Sequence, residues 1–235
     1  MPSIGRILDV GSSIATSLIR AISGSRVGTV GARPAATLIL YEFEGCPYCR
    51  KVREALTILD LDADIRPCPK RGPRFRPELV ERGGKAMFPY LIDPNTGKEM
   101  YESNDIVKYL FSQYGDGRVP GVLAAGLLGD LSSMLANLAR ATRGAFYQEA
   151  RTPDKPLELY SAEASPFCRI VREKLCTLEL PYRLHNVAPG SSHREAFVAR
   201  SGKQLIPYLV DPNTGREMFE SADIVSYLEQ TYSAG

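Results

Sequence analysis

The sequence predicts an α/β fold built twice over, and three observations carry that expectation. First, residues 38–62 match residues 157–181 at a fixed shift of 119, with 13 of the 25 aligned positions identical. Second, after a one-residue deletion, residues 88–114 match residues 206–232 at 18 of 27 positions, including all of Asp93-Pro94-Asn95-Thr96-Gly97 against Asp211-Pro212-Asn213-Thr214-Gly215. Chance similarity does not give two blocks at nearly one shift, so the chain is an internal duplication. Third, each copy alternates short β-type runs with helical periodicity, in the order β-α-β-α-β-β-α.

The elements follow in turn. Residues 38–43 are a short apolar run and predict a strand. Pro47 stands where the first residue of a helix would be, its fixed φ suited to that place, and Val52, Leu56 and Leu59 then recur at helical spacing. A second strand is expected near residues 63–66, then a basic loop and a short helix over residues 77–82. Residues 89–92 predict a third strand, Pro94-Asn95-Thr96-Gly97 a turn, and residues 99–101 a fourth strand. Ser103 is expected to cap a last helix reaching Tyr114.

The repeat extends upstream. Ser12-Ser13-Ile14 and Arg20-Ala21 echo Ser132-Ser133-Met134 and Arg140-Ala141. Ile4, Ile7, Leu8, Ile14, Leu18 and Ile22 share one helical face, as do Leu127, Leu128, Leu131, Leu135 and Leu138. The expected organisation is an amphipathic helix and linker over 1–37, a first unit over 38–116, a linker helix over 117–156 and a second unit over 157–235. Residues 1–36 carry four Arg, no Lys and a single acid, Asp9, a composition that also suits an organelle transit peptide. The echo within the chain favours a structural helix docked on its own core, and a membrane-surface helix is the rarer use of such a segment.

The formal net charge of +2 gives no reason to expect a nucleic-acid partner. No apolar run has membrane-spanning length, so membrane association is not expected. Five cysteines, Cys46, Cys49, Cys68, Cys168 and Cys176, are too few and too odd in number for a disulfide framework. A reducing compartment, the cytoplasm, is expected, with an organelle stroma or matrix as the alternative if the N-terminus is a transit peptide. The expected role of the cysteines is therefore chemical.

Cys46-Pro47-Tyr48-Cys49 lies at a strand-to-helix junction. There, unpaired N–H groups and the helix dipole favour a thiolate at Cys46, the attacking species in disulfide exchange. Cys49, three residues on, is near enough to resolve a mixed disulfide. A zinc site would need further Cys or His ligands nearby, and both histidines, His185 and His193, lie in the other half, so no metal is expected. Cys68 and Cys176 read as small core residues, and Cys168 as a buried helix residue.

Cys46-Pro47-Tyr48-Cys49 resembles the dithiol glutaredoxin tetrad. The longer stretch through Arg50-Lys51-Val52-Arg53 resembles the N-terminal domain of glutathione transferases, in their Cys-type branch. The resemblance covers both repeat blocks. It implies two tandem thioredoxin-like domains, and glutathione as co-substrate with small or protein disulfides as partners. It also implies that Pro89 and Pro207 are cis-prolines, with the backbone of Phe88 or Ile206 pairing with the cysteinyl part of glutathione. Tyr48 joins the glutathione-binding set, and Glu102-Ser103 and Glu220-Ser221 resemble the pair that holds the γ-glutamyl group. Glu102-Ser103 is equally legible as a plain helix cap.

Three departures from the family stand out. Phe43, flanked by Glu42 and Glu44, replaces the lysine that glutaredoxins carry three residues before the first Cys. The basic run Lys70, Arg71, Arg74 and Arg76 could supply a cation instead. A second thioredoxin-like unit stands where a full transferase has a helical domain. In that unit Ser165-Pro166-Phe167-Cys168 replaces the tetrad. Ser165 and Cys168, with Ile206, Pro207, Glu220 and Ser221, form its candidate site, either for binding a thiol or as a structural copy. The expected function is a glutathione-linked thiol–disulfide oxidoreductase. The alternatives are a non-enzymatic binding module and an atypical glutathione transferase.

Overall fold

A computed structural model of the chain describes residues 24–28, 30–124 and 144–234. The expected amphipathic helices, built on residues 4–22 and 127–138, lie outside the described residues.

The first unit consists of β1 (Leu38–Glu42), α1 (Pro47–Ile58), β2 (Ala63–Pro67), α2 (Phe75–Gly83), β3 (Tyr90–Asp93), β4 (Lys98–Met100) and α3 (Ser103–Tyr114). After the single turn α4 (Gly121–Ala124), the second unit repeats the order. It has β5 (Leu157–Ser161), α5 (Pro166–Thr177), β6 (Tyr182–Asn186), α6 (Arg194–Ser201), β7 (Tyr208–Asp211), β8 (Arg216–Phe219) and α7 (Ser221–Tyr232). The tandem α/β layout is the one the repeat predicts.

The boundaries shift for local reasons. β3 begins at Tyr90 because Pro89 has no N–H to give to a ladder. α2 starts two residues before Pro77, which then lies in the first turn, where its missing N–H has no partner to lose. Ser103 is the first helical residue of α3 and not its cap. The N-cap is Glu102, at φ 66°, with no side-chain bond to the helix end.

The eight strands form one sheet in the order β4-β3-β1-β2-β6-β5-β7-β8. Within each unit β1–β2 and β5–β6 are parallel, and the remaining pairs are antiparallel. The units join edge to edge: β2 and β6 pair antiparallel with Ala63 opposite Leu184, Asp64 opposite Arg183 and Ile65 opposite Tyr182. That register is symmetric under the repeat, since each of these residues pairs with the copy of its counterpart. A local two-fold therefore passes through Asp64 and Arg183, whose side chains pair at 2.8 Å. The junction also removes the two exposed edges that separate units would leave.

One face of the sheet carries a continuous core across both units. It runs from Leu38, Leu40, Val52 and Leu56 to Leu159, Val171, Leu175 and Leu228. The other face carries two separate clusters, one around Tyr41, Leu79 and Tyr90 and one around Tyr160, Phe197 and Tyr208. Strand alternation explains the split, with Leu38 and Leu40 pointing one way and Ile39 and Tyr41 the other.

Candidate functional site

Cys46 is the N-cap of α1. Its backbone is extended (φ −83°, ψ 121°), Pro47 opens the helix, and its own N–H donates to the Phe43 carbonyl at 3.0 Å. Its Sγ accepts from the Cys49 N–H at 3.3 Å, so the sulfur takes the place of a capping oxygen. The Cys49 thiol hydrogen bond holds the Cys46 thiol below its usual range. Burial opposes this, and backbone N–H groups of Cys49 and Tyr48 add to it. Burial pushes the thiols of Cys49, Cys68 and Cys176 well up. All five cysteines are free and buried, and Cys46 alone among them has its acidity increased at a helix N-terminus.

Around Cys46 lie the other predicted residues of the first unit. Tyr48 is exposed on the first turn of α1. The Phe88–Pro89 and Ile206–Pro207 peptides are both cis. Phe88 meets Phe43 edge to face at 5.8 Å, which places the residue before Pro89 beside the loop that leads into Cys46. Glu102 is exposed with φ 66° and Ser103 is buried, at the start of α3. Glu220 and Ser221 repeat that geometry, with φ 68° at Glu220.

The basic run divides its work. Arg74 is engaged with Glu179 of the other unit, its N–H donating to that carboxylate at 3.2 Å. Lys70 lies over the Phe146 ring. Arg76 is the member that reaches the site: its guanidinium lies 4.7 Å from the Phe88 ring centroid and 5.9 Å from that of Phe43. Its Nε donates to the Pro69 carbonyl at 2.6 Å, which fixes the head group there.

The second unit reproduces the cap with oxygen in place of sulfur. Ser165 Oγ accepts from the Cys168 N–H at 3.3 Å, and Cys168 is buried behind it. Ile206, Pro207, Glu220 and Ser221 line one cleft of about 250 Å³, with Phe167, Leu205 and Phe219. Ser165 does not line that cleft. His185 is held elsewhere, with Nδ1 at 2.8 Å from Asp62 and its ring stacked on Tyr160 at 4.5 Å.

The residues that sequence reasoning missed are buried between the two units. Glu44 and Glu163 are a repeat pair, as are Arg53 and Arg172, and they cross between units. Arg53 Nε donates to Glu163 at 3.0 Å, and Arg172 Nε donates to Glu44 at 3.1 Å. Within units, Arg53 lies 3.1 Å from Glu44 and Arg172 3.0 Å from Glu163, which closes a ring of four buried charges. Glu42 adds a fifth charge through a bond to Arg53. Burial opposes ionisation of Glu163, yet Arg172 and Arg53 hold its carboxyl down to about 2. Burial, with Arg50 nearby, brings Arg169 down to about 10. The acids that flank Phe43 therefore face inward to arginines and not outward to a ligand. Among the described residues, no group of three or more His, Cys, Asp or Glu is placed to hold a metal ion, and no helix is long and apolar enough to cross a membrane.

A family model described as the glutathione S-transferase N-terminal domain matches the chain twice, at residues 40–118 and 159–235. No curated protein matches it. Among solved structures, a Bombyx mori glutathione transferase is 27% identical over 36% of this chain and 39% of its own, with a TM-score of 0.33. The match thus spans well under half the length of that transferase. A trimeric glutathione transferase of Leishmania is 16% identical over 86% of this chain and 68% of its own, with a TM-score of 0.30. On the twofold family match, the chain belongs to the glutathione S-transferase N-terminal domain family and carries that domain two times.

Proposed function

We propose that the protein is a glutathione-linked thiol–disulfide oxidoreductase whose chemistry resides in the first unit. The observation that carries this reading is the Cys46 cap: a thiol of increased acidity at a helix N-terminus, with a second thiol three residues on. In this reading the Cys46 thiolate attacks a disulfide sulfur, forming a mixed disulfide and releasing a thiolate. Cys49 then attacks Cys46 and releases the second thiol. Phe88, cis-Pro89, Glu102 and Ser103, with Tyr48, form the glutathione cradle, and Arg76 beside Phe88 supplies the cation that position 43 lacks.

The test is the purified protein with glutathione, glutathione reductase and a small mixed disulfide. Cys46→Ser abolishes reduction, and Ser165→Ala leaves it nearly intact. Equal loss in both variants would mean that the two halves form one joint site, against this reading.

The cleft of the second unit supports a further role there. It gathers the second-unit counterparts of the cradle beside exposed Phe167 and Leu205, while the group at the nucleophile position is a hydroxyl. A hydroxyl cannot supply an anionic nucleophile near neutral pH without a base beside it. The second unit therefore binds glutathione or a related thiol without turnover. Calorimetric titration with glutathione of a variant that carries Cys46→Ser with Glu102→Ala and Ser103→Ala, which removes the cradle of the first unit, reads this site, and adding Glu220→Ala should weaken the binding that remains.

A further inference from the structure

A charged side chain taken out of water needs a partner of opposite charge, and a guanidinium cannot escape that need by losing its proton. The ring of Glu44, Arg53, Glu163 and Arg172 meets this requirement for its own members. Two further arginines stand one turn before the ring arginines, Arg50 ahead of Arg53 in α1 and Arg169 ahead of Arg172 in α5. They are repeat copies of each other, and both are buried, at 2% and 3% exposure. In each helix the spacing of three puts the two arginines on one side, and the ring arginine on that side reaches across the junction.

The ring acids are already engaged. Both oxygens of Glu44 accept from Arg172, from Nε and Nη2 at 3.1 Å each. Both oxygens of Glu163 accept from Arg53, at 3.0 and 3.3 Å. Arg50 finds an acid on its own helix, its Nε donating to Glu54 at 3.0 Å. In the second unit the equivalent pair, Arg169 with Glu173, is not formed. Among the described residues, the carboxylate that comes within reach of Arg169 is that of Glu44, 4.0 Å from Nε. That distance is too long for a hydrogen bond.

Three buried guanidinium nitrogens are left without a partner among the described residues: Nη1 and Nη2 of Arg169 and Nη1 of Arg50. The two side chains also feel each other. Burial brings Arg169 down to about 10, and the charge of Arg50 is the next cause, ahead of the opposing pull of Glu163 and Glu44. A group at that value still carries its charge at neutral pH. The junction thus buries one guanidinium with two idle nitrogens and no acid in hydrogen-bond contact, beside a second guanidinium with one idle nitrogen. Buried donors in native structures have partners, in the protein or in a bound water or ion.

We propose that Arg169, with Arg50 beside it, binds a small monovalent anion of the chloride class at the junction of the two units. One guanidinium there lacks an acid, so a single negative charge balances it. A halide accepts from several N–H groups at once and sets little demand on their directions. An oxyanion with two charges would place an uncompensated negative charge beside the buried carboxylates of Glu44 and Glu163. Because the idle nitrogens come from α1 of the first unit and α5 of the second, the ion ties the two units together. The site is independent of the thiol chemistry proposed for Cys46 and Cys49.

An ion that binds the folded protein and not the unfolded chain raises stability by mass action, and thermal unfolding reads that rise. The full-length protein is melted in mixtures of sodium chloride and sodium gluconate at one fixed ionic strength, which holds general screening constant. Each tenfold rise in chloride above its dissociation constant should raise the midpoint by about 3–5 °C. Sodium bromide should act in the same way, and sodium sulfate at that ionic strength should not. Arg169→Met keeps the reach of the side chain and removes its charge. The midpoint of this variant should not change with chloride. In gluconate it should melt no lower than the native protein, because a buried charge without a partner is gone. Arg50→Met should need on the order of tenfold more chloride for the same rise.

A native midpoint that does not move with chloride would overturn the proposal, and so would equal chloride dependence in the native protein and Arg169→Met. Stabilisation by sulfate and not by chloride would overturn the assignment to a halide. Should Arg169→Met fail to fold, crystals of the native protein grown in sodium bromide decide the matter through the anomalous scattering of bromine. A bromide ion within hydrogen-bonding reach of the Arg169 guanidinium is the expected result. Bromide elsewhere in the crystal with none at Arg169 would overturn the proposal.

Discussion

At positions 46 and 165 the chain presents sulfur and oxygen in one backbone setting. Each atom accepts from an N–H three residues on at 3.3 Å, and each stands before a proline that opens a 12-residue helix. The two units differ in the capping atom itself and in the partner that the preceding strand end gives to the helix arginine, Glu42 for Arg53 in one unit and Ser161 for Arg172 in the other. Ser165→Cys should therefore add a second rapidly alkylated thiol at neutral pH, because the cap that favours a thiolate is already built. Peptide mass spectrometry after brief alkylation counts it. Labelling of that new thiol no faster than buried Cys176 would show that the cap alone does not activate sulfur. The cap was legible in the sequence, since a strand, a Cys and a proline in that order fix a helix start. The inward orientation of Glu42 and Glu44 was not. The partners of Glu44 include Arg172, 128 residues away, and no local pattern announces a contact of that span.

Among the elements, the turn motif Asp-Pro-Asn-Thr-Gly shows the same division. Its turn residues were read correctly, but its complete preservation between the copies has a second cause. Asp93 is fully buried and gathers donors from three places: the Asn95 N–H at 2.8 Å, and the hydroxyls of Tyr109 at 2.5 Å and Tyr114 at 2.6 Å. Asp211 does the same with Asn213, Tyr227 and Tyr232. Asn95 in turn accepts from the Ala36 N–H at 2.7 Å, and so ties the approach to β1 to the β3–β4 turn. Each motif therefore fastens the last helix of its unit to the sheet. Asp93→Ala strands the hydroxyl of buried Tyr114 and loosens that of Tyr109. It should cost about 2–4 kcal/mol of stability, measured as a shift in the urea midpoint at unchanged slope. A loss under about 1 kcal/mol would mean that water replaces the carboxylate without penalty.

For the molecule as a whole, the decisive feature is that duplication placed two copies of one edge strand against each other. The β2–β6 ladder, the shared core and the crossed ring of Glu44, Arg53, Glu163 and Arg172 all repeat about the local two-fold through Asp64 and Arg183. Two copies of the first unit alone would set Asp64 against Asp64, an unfavourable like-charge pair. With Arg183 at the copy of that position, the junction has an ion pair in its place. The repeat was plain in the sequence, but the edge at which its copies meet was not, because a pairing strand looks the same whichever neighbour it finds. This architecture bears on unfolding. With a continuous sheet, a core shared by both units on one face and buried charges paired across the junction as well as within each unit, neither unit can unfold without exposing the other. Calorimetry should therefore show one transition whose van't Hoff and calorimetric enthalpies agree. Glu163→Ala removes an acceptor from two buried guanidinium groups at once, so a loss of about 3–5 kcal/mol is expected. Adding Glu44→Ala should not double that loss, because both acids share the same two arginines. Two separate transitions in the native protein, or strictly additive losses in the double variant, would mean that the units are merely adjacent and that the ring contributes little to joining them.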